Sequence, residues 1–218
     1  GIIADHGGGS RSNQSSKIRI WANLIVNANA NANACGINIW SADYTDVFGN
    51  IVINSTYGYC VQNTDVVGTR LRNNAAINSR TANYRYAFAA SASELTNSIS
   101  YGAPYAIKVE PSSTAPTTLN NDYWGFTEAL ASGTFTPDAS DLQVDPMFNN
   151  PSLLTADGFC LRAGSPLIGA GHYIDASVTD YYRISPRNPP EIGPIYKWCG
   201  QRPRDATRAI SPERATVH

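Results

Sequence analysis

The chain has 218 residues, of which 42% are hydrophobic and only 15% charged, and its 16 Lys and Arg residues against 17 Asp and Glu residues give a net charge of -1. This length corresponds to one domain, or to one domain with a cap. A net charge near zero excludes the strong positive field typical of nucleic-acid-binding proteins, so we expect no nucleic-acid partner. No apolar run reaches the roughly 18 residues of a membrane-spanning helix. The opening residues resemble no signal peptide, and we therefore expect a mature form or a fragment without a membrane span.

The composition indicates an all-β fold. Asn, Gly, Ser and Thr are frequent, and these residues favour turns and strands over helix interiors. No window of about 15 residues carries an apolar stripe at helical spacing that is free of Gly, Pro and Asn. Internal repeats then decide the architecture of such a chain.

From the N-terminus, a short motif led by an Asn recurs with nearly constant spacing. Its leading residues lie 27, 24, 23 and 24 positions apart: Asn23, Asn50, Asn74, Asn97 and Asn121. A second series of alternating apolar residues is offset by about half a period, and we expect one of its columns to stack inside the fold: Ile39, Val61, Phe88 and Ile107. Two strands per period predict a parallel β-solenoid of about five coils, with the Asn amides hydrogen-bonded from coil to coil. A β-sandwich with Asn-rich turns is the alternative, but it predicts no constant register.

After Trp124 the repeat stops and a different set of motifs follows. In order these are DPMF at 145–148, DGFCLRAGSPLIGAG at 157–171, DYYR at 180–183 and PPEIGPIY at 189–196. This region resembles the C-terminal part of right-handed parallel β-helix repeat proteins of the pectate-lyase-like and tailspike-like superfamily. Cys160 and Pro194 depart from the usual motifs. The resemblance implies β-helix coils over residues 1–126, a cap over the C-terminal end at 127–199 and an extended tail at 200–218.

Without a cover, each end of such a solenoid would leave backbone N–H and C=O groups unpaired. The resemblance supplies a cap for the C-terminal end only. The residues around Gly1 read as the interior of a coil, so we expect preceding coils or another subunit to cover that edge. A homotrimer is one such assembly.

Outward-facing positions of the second series provide a candidate carbohydrate site. Trp40, Gln62, Ala89 and Lys108 are expected to form one column, with Glu110 on the same face. An exposed Trp beside polar groups suits stacking against sugar rings. The alternative interpretation is that these aromatic residues pack beneath loops.

Two aspartates are candidate catalytic acids. Asp43 lies seven residues after Gly36, and Asp65 lies seven residues after Gly58, so in one register their carboxylates occupy adjacent coils. Such a pair would raise one pKa or bind a cation. The alternative is that each carboxylate caps a turn. Asp65 also closes an Asn-Thr-Asp triplet like the first motif of polygalacturonase-like hydrolases, but the Asp-Asp pair that those enzymes need is absent.

The cysteine and histidine pattern indicates no metal site, since no Cys or His pair has ligand spacing. We expect a Ca²⁺ cofactor only if the protein is a lyase, because a lyase must neutralise a uronate. A disulfide between Cys160 and Cys199 is expected more readily than one between Cys35 and Cys60, which fall at different offsets in adjacent coils.

Two functions from different classes follow. The first is an extracellular, cell-surface or virion β-helix that engages polysaccharide, with Asp43, Asp65, Lys108 and Glu110 as catalytic candidates and Trp40 and Gln62 as sugar contacts. It would be a polysaccharide lyase or glycoside hydrolase if it is an enzyme. The second is a non-catalytic structural or adhesion module of a tailspike or surface fibre. Fold alone does not decide between them.

Overall fold

The computed structural model describes residues 1–5, 18–62, 67–196 and 199, and it confirms a parallel β-solenoid of about five coils. Each coil contributes one strand to each of three parallel sheets. Strands are numbered in chain order. Sheet A contains β1 (Ile2–Asp5), β4 (Cys35–Trp40), β7 (Tyr57–Gln62), β10 (Ala82–Ala87), β13 (Tyr105–Val109) and β16 (Ala129–Ser132). Sheet B contains β2 (Arg19–Trp21), β5 (Asp46–Phe48), β8 (Arg70–Arg72), β11 (Glu94–Thr96) and β14 (Thr117–Leu119).

Sheet C contains β3 (Leu24–Val26), β6 (Ile51–Ile53), β9 (Ala75–Ile77), β12 (Ile99–Tyr101) and β15 (Asp122–Trp124). The one helical element is a short 3₁₀ turn, Ala156–Phe159, within the described residues. Sheets B and C are joined by single bends, at which a left-handed residue turns the chain: Ala22, Gly49, Asn73, Asn97 and Asn120. Asn and Gly tolerate this conformation best, which explains their enrichment in the repeat.

The interior of the coils is packed with inward residues from all three sheets. In sheet A the stacked columns are Ile37, Tyr59, Tyr84 and Ile107, and Ile39, Val61, Tyr86 and Val109. The Tyr59 and Tyr84 rings stack with centroids 5.2 Å apart. Their buried hydroxyls donate to the carbonyls of Asn50 and Ile99, at 3.0 and 3.1 Å. The polar ends of Tyr59 and Tyr84 are therefore satisfied inside the core.

The predicted column of Ile39, Val61, Phe88 and Ile107 is wrong in its last two members. Tyr86 occupies the place assigned to Phe88, and Phe88 lies beyond the end of β10 with its side chain 47% exposed. Ile107 is buried, but it belongs to the neighbouring column opposite Tyr84. Alternation repeats every two residues, so a shift of two preserves the pattern and sequence cannot detect it.

The Asn ladder exists, with one change of register. Asn23 Nδ2 donates to Asn50 Oδ1 at 2.9 Å, and Asn50 Nδ2 donates to Asn74 Oδ1 at 3.0 Å. Asn97 was predicted as the next member, but Ser98 occupies that place: the backbone N–H of Asn74 donates to Ser98 Oγ. The ladder resumes at Asn121, whose Oδ1 accepts from the Ser98 N–H at 2.8 Å.

Residues beyond the last complete coil continue the solenoid and pair with that coil. Strand β16 pairs with β13, and Leu142 forms a parallel bridge with Asp122. The N–H of Leu142 donates to the Asn121 carbonyl at 2.7 Å, and the Tyr123 N–H donates to the Leu142 carbonyl at 3.0 Å. Residues 129–142 thus add a partial coil that pairs with the end of the preceding one.

The segment 146–196 is called the C-terminal coat here. It packs along the outward face of sheet C, where two sets of apolar residues meet. The strands contribute Ile51, Ile53, Ala75, Ile77 and Ile99, and the coat contributes Phe148, Phe159, Leu161, Leu167, Ile192 and Ile195. Because these strands are apolar on both faces, their outer face needs a cover along the side. The domain boundary predicted at 126/127 stays a prediction, and the tail at 200–218 lies outside the described residues.

Both disulfides form, so the expectation against Cys35–Cys60 is wrong. Strict alternation places these two cysteines on opposite faces, since Cys35 pairs with Tyr57, three residues before Cys60. However, a Cβ at Gly36 would point at Val52 inside the coil, and the side chain of the next residue, Ile37, is buried as well. Two successive inward positions interrupt the alternation, which returns Cys35 to the outward face that it shares with Cys60. The Cys160–Cys199 pair, which the sequence left as a possibility, also forms.

Candidate functional site

The outward face of sheet A carries four of the six residues predicted as site residues. Trp40 and Gln62 are register partners on β4 and β7, as expected. Gln62 is opposite Ala87 rather than Ala89, which lies in the turn after β10. Lys108 is opposite Arg85, two residues before the position that continues the column of Trp40, Gln62 and Ala87. Glu110 follows directly after β13, so both side chains still share this face.

An aromatic pair forms the exposed part of this face. The rings of Trp40 and Phe88 meet edge to face with centroids 5.8 Å apart. Both are accessible, with 37% of Trp40 and 47% of Phe88 exposed. Phe88 and Ala89 are both left-handed, and this tight turn places the Phe88 ring outside the core and beside Trp40. Phe88 was not predicted as a site residue, because strict alternation assigns its side chain to the interior.

A charged cluster borders the aromatic pair. Arg85 donates from Nε and Nη2 to Glu110 Oε1, at 3.0 and 2.6 Å. The Arg85 guanidinium also lies over the rings of Tyr57, at 4.6 Å, and Phe88, at 5.5 Å. Lys108 Nζ is 3.5 Å from the Tyr57 hydroxyl. Because Arg85 is only 5% exposed, the ion pair is mostly shielded from water and fixes Glu110 in place.

Two of the predicted residues serve the fold. Gln62 is buried, and its Nε2 donates to Asn38 Oδ1 on the neighbouring strand at 2.7 Å. Asp43 lies in the turn after β4, where its Oδ1 accepts from the Val67 N–H of the next coil at 3.1 Å. This bond is a turn contact between coils, close in kind to the capping alternative. Asp65 lies outside the described residues, so the Asp43–Asp65 pairing stays a prediction.

A groove that sequence analysis did not find lies on another face. It has a volume of about 430 Å³ and runs between the outward side chains of sheet B and residues 172–175 of the coat. On the sheet side, Arg70 pairs with Glu94 at 3.5 Å. Arg72 reaches both carboxylate oxygens of Asp46 at 2.5 Å.

A partial signal for this groove was present in the sequence. Arg19, Asp46, Arg70 and Glu94 lie 27, 24 and 24 residues apart, which are the intervals of the ladder formed by Asn23, Asn50, Asn74 and Ser98. Equal intervals place these charged residues in one outward column. The opposite wall was not predictable, because nothing local to His172 and Tyr173 indicates which sheet they approach.

The described residues contain no group of three or more His, Cys, Asp and Glu side chains that could hold a metal ion. Within the same ranges no helix has the length and apolar character to cross a membrane.

No protein-family model matches the chain, and no curated protein matches it significantly.

Proposed function

We propose that this protein is a surface or extracellular β-solenoid that binds polysaccharide through the outward face of sheet A. The observation that carries the proposal is the exposed Trp40–Phe88 pair beside the Arg85–Glu110 ion pair. An aromatic surface next to fixed charged hydrogen-bonding groups offers a sugar ring both a stacking contact and hydroxyl partners. The motifs at 145–196 support membership of the pectate-lyase-like or tailspike-like superfamily, in which such faces engage saccharides.

Binding is favoured over catalysis by what the candidate acids do. Hydrolysis of a glycosidic bond needs two carboxyl groups that flank it, one of them able to supply a proton. Asp43 accepts a backbone hydrogen bond between coils, and Glu110 is held by two donors from Arg85. Both carboxylates are already engaged by these donors within the fold, an arrangement that suits recognition better than acid catalysis.

The two disulfides support the extracellular part of the proposal. Such bonds persist in oxidising environments and are rare in reducing cytosol. Cys35–Cys60 joins two coils, and Cys160–Cys199 joins the coat to a residue just beyond it, so both would strengthen a protein that works outside the cell. Secretion, cell-surface display and a virion location all satisfy this chemistry.

A structural assembly is the second candidate, and the sheet order favours it. β1, β2 and β3 are the terminal strands of their sheets, so each leaves an edge unpaired within the described residues. Open edges pair readily with another chain. We propose that further coils or a second subunit, as in a homotrimer, cover this edge.

The test is to incubate the protein with neutral and acidic polysaccharides, with and without Ca²⁺, while measuring binding, reducing ends and unsaturated products. We expect binding without product, and binding weakened about tenfold in Trp40→Ala through loss of the stacking surface. Trp124→Ala is the matched control, since Trp124 is 38% exposed on sheet C and should bind normally. Product that disappears in Glu110→Gln or Lys108→Ala would instead establish an enzyme. An oligomer that binds no polysaccharide would establish the structural module.

A further inference from the structure

We propose that the groove between sheet B and residues 172–175 is a second binding site, separate from the face of sheet A, and that it takes an uncharged oligosaccharide. Its volume of about 430 Å³ falls within the roughly 300–1,000 Å³ of small-ligand clefts. The groups available to a ligand are Arg70, Glu94, Thr96, His172, Tyr173 and Asp175. The proposal stands whether or not sheet A binds saccharide.

The wall of the groove is held in place before any ligand arrives. The Asn97 side chain bonds both the N–H and the carbonyl of His172, each at 2.7 Å. Asn120 Nδ2 donates to the Ala170 carbonyl at 2.9 Å. Asp175 accepts from the N–H and the hydroxyl of Ser177, at 2.7 and 2.5 Å. A wall fixed by these bonds loses little conformational entropy on binding.

The charges of the groove are balanced, and this selects the ligand. Arg72 is paired with Asp46, and Arg70 is paired with Glu94. The Ser177 bonds lower the pKa of Asp175, which keeps this carboxylate charged. A phosphate, sulfate or uronate would meet the carboxylates of Glu94 and Asp175 without an uncommitted cluster of cations to offset them. An uncharged ligand avoids this repulsion.

The remaining chemistry suits a sugar. The groove offers guanidinium, imidazole and hydroxyl groups as donors and two carboxylates as acceptors, so hydroxyl groups of a ligand find partners of both kinds. Tyr173 is 38% exposed at the wall, where its ring can stack on a pyranose. Arg70 has 54% of its side chain exposed, so part of its guanidinium remains accessible to a hydroxyl group.

The experiment is hydrogen–deuterium exchange of the full chain with cellohexaose, xylohexaose, mannohexaose, chitohexaose and, as the acidic probe, hexagalacturonate. We expect at least one neutral oligosaccharide to slow exchange of the amides at 172–178, and hexagalacturonate to leave them unchanged. Tyr173→Ala should weaken that binding about tenfold. Glu94→Gln should weaken it less, since an amide still accepts a hydrogen bond. Trp40→Ala and Trp124→Ala should bind at this site as the unmodified protein does.

Three outcomes would overturn the inference. The first is protection at 172–178 by hexagalacturonate alone, which would assign an anion site. The second is protection confined to residues 38–40 and 85–89 that disappears in Trp40→Ala, which would leave sheet A as the saccharide site. The third is no protection of 172–178 by any neutral probe at saturating concentration. Because Tyr173 and Trp40 lie on different faces, failure of one site is distinguishable from failure of the other.

Discussion

Asn97 and His172 are joined by a reciprocal pair of hydrogen bonds: Asn97 Nδ2 donates to the His172 carbonyl, and the His172 N–H donates to Asn97 Oδ1, each at 2.7 Å. Asn97 also has a left-handed backbone, with φ of 50°, and forms a bend between sheets B and C. One residue thus turns the coil and anchors the coat 75 residues later in the chain. The repeat and the coat are therefore coupled through the bends, in addition to their apolar contact.

Replacing Asn97 by Gly should isolate the contribution of these two bonds. Gly accepts the left-handed conformation without strain, so the main loss is the pair of hydrogen bonds to His172. We expect the free energy of unfolding to fall by about 1–3 kcal/mol in urea titrations. Asn78→Gly is the control, because Asn78 has φ of 52° and an exposed side chain. Equal losses in the two variants would mean that the His172 bonds contribute nothing.

Substitution of an Asn in the continuous part of the ladder should lower the free energy of unfolding more than substitution at Ser98. Asn50 is fully buried, donates to the Phe48 carbonyl and to Asn74 Oδ1, and accepts from Asn23, so Asn50→Ala leaves several buried groups unpaired. We expect a loss of at least about 3 kcal/mol in the free energy of unfolding. Ser98→Ala removes a donor to the Thr96 carbonyl and a 3.3 Å acceptor contact, and should cost about 1–2 kcal/mol. The reverse order would refute a stabilising ladder.

Much of the solenoid was predictable because a repeated coil repeats its residue types. The Asn ladder identified the period, and only the register at Asn97 was wrong, since Ser98 can accept and donate in place of an amide. Phe88 and Cys35 show what a period cannot reveal. A two-residue shift at β10 and an interrupted alternation at Gly36 preserve the composition of the coil while changing which side chains share a face.

The candidate sites also contain one part that the repeat predicts and one part that it does not. Trp40 and Gln62 were placed as partners because both lie within the repeat. The contact between Arg85 and Glu110 depends on the true register of β13, which alternation does not specify. The groove depends on where the coat returns, and its contacts join residues as far apart as Asn97 and His172. Long-range packing of a non-repeating segment carries no signal in a single sequence.

Removal of the Cys35–Cys60 disulfide should lower stability through the unfolded state. The bond closes a loop of 25 residues, and the double replacement Cys35→Ala with Cys60→Ala should cost about 3 kcal/mol by loop-closure entropy. The measurement is urea unfolding of both proteins under non-reducing conditions. Thiol labelling of the denatured, unreduced protein is the control, because it should label no cysteine. Labelling of Cys35 and Cys60 together would contradict the bond itself.

Asp122 should make the solenoid more stable at mildly acidic pH than at alkaline pH. Its side chain is fully buried, Oδ1 accepts from the Val144 N–H at 3.1 Å, and Oδ2 has no hydrogen-bond partner in the described structure. Burial, opposed by the Val144 hydrogen bond and reinforced by the charge of Asp145, raises the pKa of Asp122 to about 7. In the unfolded chain an Asp has a pKa of about 3.9. Between about pH 4 and about pH 7 the folded protein thus holds a proton that the unfolded chain has released, so stability falls as pH rises.

The variant Asp122→Asn keeps the neutral form at every pH and should remove this dependence. From about pH 5 to about pH 8, the unmodified protein should lose about 2–3 kcal/mol of unfolding free energy relative to the variant. Burial also raises the pKa of Glu191, which the variant retains, so the difference between the two proteins isolates Asp122. Urea titrations at several pH values provide the comparison. Parallel stability curves for the two proteins would show that Asp122 is charged in the folded state throughout, with water or a rearranged neighbour compensating its burial.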